Sequence, residues 1–522
     1  MSLPRRSLIR STGALLGAVG AGSLLAACGG SSAPESGSSS RAPDATSGTA
    51  HEGGTLRAVF AGGGAEESLD PFGGTAPADF VRNDVIYDAL FFLKDGVPEP
   101  ALATAAESAA DGMSFTLRLR EGVVWHDESA FTAEDVAYSF RYMSSSDRAF
   151  PSELQMYFDM QKVTVEDPHT LTVPTLQPIG DPATMLASFP AKIVKNNTTD
   201  FSAENVVGTG PYRVSAFEAG RETRLTRFDR HWGGAAPADG LVLSSVSDPQ
   251  ARVNAVRTGQ ADYAGDVPFT TAKAGVGGSG IEIRTAGNTN RTGFAFVLNA
   301  NRAPFDDPRA RRAARLAIDR AQLVETVLLG YGGQGNDLFC QGARYFSEVR
   351  PLKRDLAEAR RLLREAGVEG AKVVARSAEY EAGYNDSTKL FVQQLREIGL
   401  DAEEQIVSLA EFFEPEALEA ANSVTFSSGP LPLPVMYGRL AAYPSFVLPD
   451  DAFQAAFQQA MAATTDTVRR DAWARAQDVM ADRGNTMVWG VADTLSLART
   501  NVAGITVRDQ AKYPYLGKAG LA

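Results

Sequence analysis

Cysteine and histidine are scarce in this chain, which has two Cys and four His among 522 residues. Only Cys340 lies in the body of the chain, so an internal disulfide is excluded there and we expect an unpaired, buried thiol. No Cys-x-x-Cys or His-Glu-x-x-His motif is present, and no two histidines have metal-ligand spacing. No resident metal ion is therefore predicted. The histidines are His51, His126, His169 and His231.

Enzyme signatures are missing as well. The chain has no Gly-x-Ser-x-Gly elbow and no Gly-x4-Gly-Lys-Ser/Thr loop. The stretch 275–280 matches Gly-x-Gly-x-x-Gly, but it precedes a predicted strand at 281–283, whereas a dinucleotide-binding loop leads into a helix. We interpret it as a plain loop. The sequence thus predicts no cofactor, and no pair of carboxylates is placed for acid–base catalysis.

The charge of the chain is acidic, with a formal net charge of −13. This excess of carboxylates argues against a nucleic-acid partner and against binding flat on an anionic bilayer. The composition, 44% hydrophobic and 22% charged, is that of a globular protein, and the length suits two or three domains.

The N-terminal segment reads as an export signal. Arg5-Arg6 precedes an apolar, Gly-containing run at 14–27, too short for a transmembrane helix, and a paired arginine in this place is typical of twin-arginine export. Leu-Ala-Ala-Cys at 25–28 resembles the bacterial lipobox, which implies removal of 1–27 and acylation of Cys28. Removal would take away three basic residues and no acidic one, changing the net charge from −13 to −16. Residues 28–54 are rich in Gly, Ser and Ala and predict a flexible tether.

The body alternates predicted strands and helices, which indicates an α/β fold. Strands are predicted at 55–60 and 115–120. Capping residues mark helix starts at Thr132, with Asp135 three residues on, and at Asp307 before a proline. The predicted helices begin after Thr132, after Asp307 (with an apolar face reaching Val327), after Asp355 (ending at Gly367), and at 387–398.

Short motifs occur in a fixed order along most of the body. They are Ser-Leu-Asp-Pro at 68–71, Val-Ile-Tyr-Asp-Ala-Leu at 85–90, Phe-Thr-Ala-Glu-Asp-Val-Ala-Tyr-Ser at 131–139, Gly-Thr-Gly-Pro-Tyr at 208–212, Gly-Gln-Ala-Asp at 259–262, and Pro-Phe-Asp-Asp-Pro at 304–308 followed by Ala-Ile-Asp-Arg at 317–320. In this order the motifs resemble the extracytoplasmic solute-binding proteins of peptide/nickel-type ABC transporters, family 5.

The resemblance implies a two-lobed, periplasmic-binding-protein-like α/β fold with an extra subdomain in the first lobe. The first lobe would comprise 55–295 and 494–522, with the extra subdomain at about 92–205, and the second lobe 296–493. The chain would cross between the lobes at 293–299 and 487–490, which both read as buried strands and are candidate hinges.

The same resemblance implies the substrate-binding component of an ABC importer, which captures a small molecule or peptide and delivers it to the permease. Such a protein would be a monomer anchored through Cys28 on the extracytoplasmic face of the cell membrane. Two alternatives stay open at this point: a cell-surface lipoprotein hydrolase, and a binder of a non-peptide ligand such as a metal chelate, an opine or an oligosaccharide.

Ligand contacts are also implied by the resemblance. Peptide-binding relatives pair the ligand's ammonium group with an Asp in a Trp-x-x-Asp-Tyr-x-x-Pro segment of the second lobe, but the comparable segment here, 427–439, has neither Asp nor Trp. This favours a neutral, apolar or anionic ligand. Arg439 would fork onto a carboxylate or phosphate, or else be a solvated surface residue; Trp489 would stack on the ligand or pack in the core. The candidate ligand-binding residues are Glu66, Glu67, Ser68, Phe426, Leu431, Met436, Tyr437, Arg439 and Trp489.

Overall fold

The computed structural model describes residues 49–74, 76–146, 148, 152–188, 191–276, 278–379, 381–429, 431–509 and 511–522. These all fall within one compact unit of the chain. The predicted signal segment 1–27, Cys28 and the tether as far as residue 48 lie outside the described residues.

Strands occur along the whole of this unit. In chain order they are β1 (Thr55–Phe60), β2 (Phe91–Lys94), β3 (Val97–Pro100), β4 (Ala103–Ser108), β5 (Ser114–Leu119), β6 (Thr164–Asp167), β7 (Thr170–Pro174), β8 (Tyr212–Glu218), β9 (Glu222–Arg227), β10 (Gly240–Ser245), β11 (Tyr263–Ala264), β12 (Ile281–Thr285), β13 (Thr292–Leu298), β14 (Gly332–Gln334), β15 (Lys372–Ser377), β16 (Asp401–Ile406), β17 (Ser423–Ser428), β18 (Thr486–Ala492), β19 (Leu495–Arg499), β20 (Val502–Ala503) and β21 (Gly520–Leu521).

Helices alternate with these strands, as the sequence predicts. They are α1 (Pro77–Ile86), α2 (Ala133–Met143), α3 (Pro182–Ser188), α4 (Pro249–Arg257), α5 (Phe269–Ala274), α6 (Pro308–Ala317), α7 (Arg320–Val327), α8 (Leu356–Ala366), α9 (Tyr384–Glu397), α10 (Leu409–Phe412), α11 (Pro415–Ala420), α12 (Leu433–Ala441), α13 (Asp451–Ala462) and α14 (Asp466–Arg483). The α/β prediction is confirmed.

The apolar face predicted after Asp307 belongs to two helices rather than one. Ile318 leaves the helical conformation, and the side chain of Asp319 accepts the Gln322 N–H to start α7. Asp319 is therefore the N-cap of a second helix, so the apolar pattern after Asp307 is divided between α6 and α7.

The first lobe is built on a seven-stranded sheet of order β12-β19-β11-β1-β10-β9-β8. At its centre β1 pairs in parallel with both β10 and β11, and β19 inserts between β11 and β12. The C-terminal part of the chain thus returns to the first lobe.

The second lobe is built on a six-stranded sheet of order β14-β18-β13-β17-β15-β16. Every residue of β13 and β18 is buried, and the two strands are neighbours in this sheet. Side chains of β13 alternate between two cores: Phe294 and Phe296 face the helices α6–α9, while Ala295 and Val297 face the opposite side. These strands are fixed on both faces.

The crossings between the two sheets lie beside β13 and β18 rather than within them. The chain leaves the first sheet at Thr285 and returns to it at Leu495, so the connectors are 286–291 and 493–494. The stretches that the sequence suggested as hinges, 293–299 and 487–490, are held by ladder hydrogen bonds that a bending motion would break. Between the connectors, Arg291 Nε lies 2.7 Å from Asp493 Oδ1.

A four-stranded antiparallel sheet, β4-β5-β7-β6, forms the centre of the extra subdomain. Its apolar core is continuous with that of the second lobe, including Leu433 and Trp473 from α12 and α14. Hydrogen bonds also join the two parts: the Gly180 N–H donates to the Met461 carbonyl (2.7 Å). The extra subdomain therefore packs against the second lobe and helps to close the space between the lobes.

Candidate functional site

Two cavities lie between the lobes. The first, of about 320 Å³, is bounded by the first lobe, the extra subdomain, the second lobe and the C-terminal segment. The second, of about 470 Å³, lies between the loop after β11, the segment before α9, the start of β13 and the connector 493–494. Lys512 is on the wall of both cavities, and we call the two together the interlobe cleft.

The C-terminal segment, residues 506–509 and 511–515, touches all three parts of the molecule. Lys512 Nζ lies 2.9 Å from Glu381 Oε1 of the second lobe. The Gly96 N–H of the extra subdomain donates to Asp509 Oδ2 at 3.0 Å. Tyr513 stacks on Phe80 of α1, with ring centroids 5.5 Å apart. This segment therefore bridges the first lobe, the extra subdomain and the second lobe.

Lys512 lies at the junction of the two cavities. Burial by itself lowers the pKa of its ammonium group, but attraction from Glu381, Tyr513 and Asp266 outweighs this and leaves the pKa above its ordinary value. Lys512 is thus a fixed positive charge in the middle of the interlobe cleft.

Arg508 lies in the first cavity with its guanidinium between two aromatic rings. Its Cζ is 3.5 Å from the ring centroid of Phe92 and 3.7 Å from that of Tyr515. Stacking of this kind holds the guanidinium plane, and the guanidinium also donates a hydrogen bond to the Tyr515 hydroxyl. This arrangement can bind a carboxylate.

Asp266 lies in the second cavity, in the loop between β11 and α5. Its Oδ2 is enclosed and has no hydrogen-bond partner among the described residues. Burial raises the pKa of this carboxyl, against the attraction of Lys512 and Arg252. The Arg252 guanidinium itself donates to backbone carbonyls, including that of Gly265 (3.2 Å). Asp266 therefore lies beside two cations, Lys512 and Arg252, with one enclosed oxygen unpaired.

Two of the predicted site residues line the interlobe cleft, Leu431 and Arg439. The Arg439 guanidinium is already engaged, because it forks onto the carboxylate of Glu153 at 3.1 and 3.0 Å. A ligand anion would have to displace that partner. Arg439 is neither a free anion anchor nor a purely solvated residue.

Met436 and Tyr437 face inward from α12 and do not line either cavity. They are 0% and 4% exposed, and Tyr437 stacks on Trp473 with centroids 5.9 Å apart. With Leu433 and Leu440 they form a stripe at i, i+3, i+4 and i+7, the pattern of a helix's buried face. This spacing is visible in the sequence and could have predicted that Met436 and Tyr437 are buried.

The loop residues 66–68 also lie away from the cavities. Glu67 is buried, and its carboxylate accepts hydrogen bonds from the Gly63 N–H, the Ser245 hydroxyl and Arg82. Ser68 accepts from Arg82 through its carbonyl at 3.1 Å, and Glu66 is exposed. These interactions hold the start of the first lobe together.

Phe426, Trp489 and Cys340 are packed in apolar cores. Phe426 contacts the rings of Phe339 and Phe446. Trp489 is 0% exposed and meets Phe294 edge-on at 5.7 Å. Cys340 is a free, buried thiol, as expected, and burial raises its pKa.

The residues that sequence reasoning missed are those of the C-terminal segment and Asp266. They belong to loops, where no periodic pattern marks them. One signal was present: basic and aromatic residues recur at 508, 512, 513 and 515. Within the described ranges, no group of three or more His, Cys, Asp or Glu could hold a metal ion, and no helix there is long and apolar enough to span a bilayer.

Comparisons with known proteins agree with this architecture. The family model described as "Bacterial extracellular solute-binding proteins, family 5 Middle" matches residues 97–436. The glutathione-binding protein GsiB of Salmonella paratyphi A is 26% identical over 351 residues, covering 66% of this chain and 68% of the relative.

Solved structures are similar over nearly the whole unit. The ABC transporter-associated periplasmic binding protein DppA from Helicobacter pylori, in complex with the peptide STSA, has a TM-score of 0.74 at 20% identity and covers 90% of this chain and 98% of its own. NikA from Brucella suis, in complex with Fe(III)-EDTA, has a TM-score of 0.74 at 19% identity and covers 90% and 100%. At these identities the likeness shows a shared fold.

Proposed function

Because this chain belongs to family 5 of the bacterial extracellular solute-binding proteins, we propose that it captures a small, peptide-like solute in its interlobe cleft. It is the substrate-binding component of an ABC importer for peptides or related ligands, and it is not an enzyme. The observation that carries the ligand proposal is the pair of cavities between the lobes, each of a size that suits a small ligand.

The mechanism follows from where the chain crosses between the sheets. The short connectors 286–291 and 493–494 let the lobes rotate, while the sheets stay rigid. A ligand that contacts both lobes favours the closed arrangement, and we expect the contact between Lys512 and Glu381 across the cleft to stabilise that arrangement as well. A permease then meets a different surface on the loaded protein than on the empty one.

Calorimetry and small-angle X-ray scattering on the purified protein test this proposal. Glutathione and the peptide STSA are the probes, because a relative is named for the first and a similar structure contains the second. We expect at least one to bind and to reduce the radius of gyration, since closure brings the lobes together. If only Fe(III)-EDTA or maltotriose bound, the ligand would not be peptide-like. If a probe bound without reducing the radius of gyration, binding would not close the lobes.

The membrane attachment is part of the proposal. The paired arginine, the apolar run and Leu-Ala-Ala-Cys support export by the twin-arginine route and acylation, with palmitate, of Cys28. The protein would then be a monomeric lipoprotein on the extracytoplasmic face of the cell membrane. Anchoring keeps it close to its permease, which raises the local concentration.

Replacing Cys28 with serine should release the protein from the membrane. The thiol that receives the acyl chain is lost, so we expect no incorporation of a palmitate analogue and a shift from the detergent phase to the aqueous phase in Triton X-114 partitioning. Cys340→Ser is the matched control, because it removes the other cysteine and should leave both readouts unchanged. An unaltered partition of Cys28→Ser would contradict the anchor.

A further inference from the structure

A third space between the lobes is separate from the two cavities of the interlobe cleft. It has a volume of about 390 Å³ and lies between the end of α5 in the first lobe and α7 and β14 in the second. Lys273 lies on its first-lobe wall, and Ala321, Val324 and Glu325 lie on its second-lobe wall. We call this space the hinge gap, because β14 pairs with β18 beside the connector 493–494.

Helix α7 separates the hinge gap from the interlobe cleft. Ala321, Val324 and Glu325 line the gap, whereas Thr326 and Val327 line the second cavity. Successive residues of an α-helix are rotated by about 100°, so these two sets occupy opposite faces of α7. A movement of α7 relative to the first lobe that narrows one of these spaces therefore widens the other.

The first-lobe side has a matching arrangement. Phe269, at the start of α5, lines the second cavity, and Lys273, one turn later, lines the hinge gap. The ring of Phe269 stacks on that of Tyr331 from the second lobe, with centroids 5.8 Å apart. The Tyr331 carbonyl in turn accepts the Asp493 N–H of the connector at 3.1 Å. The two lobes therefore touch next to the hinge, with the cleft at one end of α5 and the gap at the other.

This geometry couples the two spaces to each other. The connectors allow the lobes to rotate as rigid bodies, and the contact between Phe269 and Tyr331 can serve as their pivot. In the structure the cleft is bridged, because Lys512 Nζ lies 2.9 Å from Glu381 Oε1, and the hinge gap is wide. Opening of the cleft would move the two walls of the gap toward each other.

The two walls of the hinge gap carry opposite charges. Lys273 and Glu325 are both exposed, and neither has an ion-pair or hydrogen-bond partner among the residues that the structure describes. An exposed ion pair formed between them would shift an equilibrium by about 1.5- to 5-fold. Narrowing of the gap would also cover Ala321 and Val324 with the aliphatic stem of Lys273. The walls are therefore complementary to each other.

We propose that the hinge gap is the contact surface that holds the lobes open in the absence of ligand, with Lys273 paired to Glu325 across it. This inference rests on the lobe rotation in the proposed function and identifies the contact that ligand binding has to break. The protein then alternates between two contacts, Lys512 with Glu381 when the cleft is closed and Lys273 with Glu325 when it is open. Because the ligand binds the closed arrangement, its apparent affinity depends on residues outside the cleft.

Distances across the hinge gap in the ligand-free protein test this inference directly. Ala274 is exposed beside Lys273, and Gln334 is exposed on the opposite wall. Nitroxide labels on Ala274→Cys and Gln334→Cys report their separation by double electron–electron resonance, and Cys28→Ser with Cys340→Ser removes the other thiols. We expect a shorter separation without ligand than with saturating glutathione or STSA.

Charge reversal separates an ion pair from mere proximity. Lys273→Glu places two acids across the gap, so it should lengthen the separation without ligand and tighten the binding of glutathione or STSA by about 2- to 5-fold. Combining Lys273→Glu with Glu325→Lys restores opposite charges and should reverse both effects. In about 1 M salt the difference between the single and the double variant should shrink, because exposed charges are then screened.

Two further variants complete the test. Lys372→Glu is the matched control, because it reverses the charge of an exposed lysine that pairs with Glu403 at 3.0 Å in the second-lobe sheet; it should change neither the separation nor the affinity. Ala321→Trp fills the gap without changing its charge, so it should lengthen the separation at every salt concentration. Thermal unfolding identifies any variant that is not folded.

Three results would overturn the inference. They are an equal separation in the ligand-free protein with and without Lys273→Glu, an equal change in Lys273→Glu and in the double variant, and a shorter separation after glutathione or STSA binds. The first two are read without a ligand, so they decide the matter even if neither probe binds. Failure of both probes would refute the peptide-like ligand alone.

Discussion

Replacing Trp489 with alanine should lower the free energy of unfolding of the second lobe by about 3–5 kcal/mol, the usual cost of truncating a buried aromatic side chain. Trp489 is fully buried in β18 and packs edge-on against Phe294 of β13. These two strands are neighbours in the second-lobe sheet and adjoin the connectors. The loss would be measured by denaturant unfolding monitored by far-ultraviolet circular dichroism, because that signal comes from the backbone and does not depend on the tryptophan that is removed.

Ligand affinity separates a core residue from a ligand contact. Below the unfolding transition, Trp489→Ala should bind STSA or glutathione as the unaltered protein does, because the side chain lines neither cavity. Trp489→Phe is the matched variant: it keeps a ring in the core and should lose less stability. An Ala variant with native stability and no binding would make Trp489 a ligand contact.

Local signals in the sequence predicted the secondary structure well. Thr132 and Asp135 cap α2, where the Thr132 N–H donates to Asp135 Oδ2 at 2.7 Å. Gly367 ends α8 in the left-handed conformation. Each of these interactions joins residues within one helical turn, so residue type and spacing are enough to predict them.

Pairing across the cleft could not be predicted in this way. Arg439 has the right chemistry for an anion anchor, but Glu153, which engages it, lies 286 residues away in the chain. Arg508 and Phe92 are brought together only when the C-terminal segment reaches the extra subdomain. Which charges remain unpaired is a property of the packed molecule, so residue type and spacing do not predict it.

The sequence predicted where buried strands occur, but not which strands pair, because pairing also joins residues far apart in the chain. Buried strands at 293–299 and 487–490 were predicted from apolar runs, but their assignment to one sheet or the other depends on pairing with distant strands. Because β17 and β18 flank β13, the chain passes between the two sheets in the short connectors 286–291 and 493–494.

His126 should make folding sensitive to acid. Its imidazole is buried; the Gly208 N–H donates to Nδ1 (3.1 Å) and Nε2–H donates to the Gly210 carbonyl (2.9 Å). A proton on Nδ1 would face the Gly208 N–H, so the neutral form is the one that fits. Burial lowers the pKa of His126 to about 4; the Gly210 carbonyl and Asp88 oppose this, and Arg213 and His231 add to it.

The direction of the pH effect follows from the two states. In the unfolded chain the histidine pKa is about 6.5, so below that pH the unfolded state binds a proton that the folded state refuses. The stabilising contribution is complete above pH 6.5 and is lost as the pH falls from about 6.5 to 4. Its size is about 3 kcal/mol, since each pKa unit corresponds to about 1.4 kcal/mol.

The measurement compares the unaltered protein with His126→Gln at several pH values, because carboxylates titrate equally in both. The stability advantage of the unaltered protein should be largest at pH 7 and above and should shrink by about 3 kcal/mol by pH 4. His169→Gln controls for the loss of an imidazole elsewhere. If the stability advantage of the unaltered protein stayed constant with pH, or grew toward acid, the prediction would be wrong. His126 would then not be held in its neutral form by the turn at 208–210.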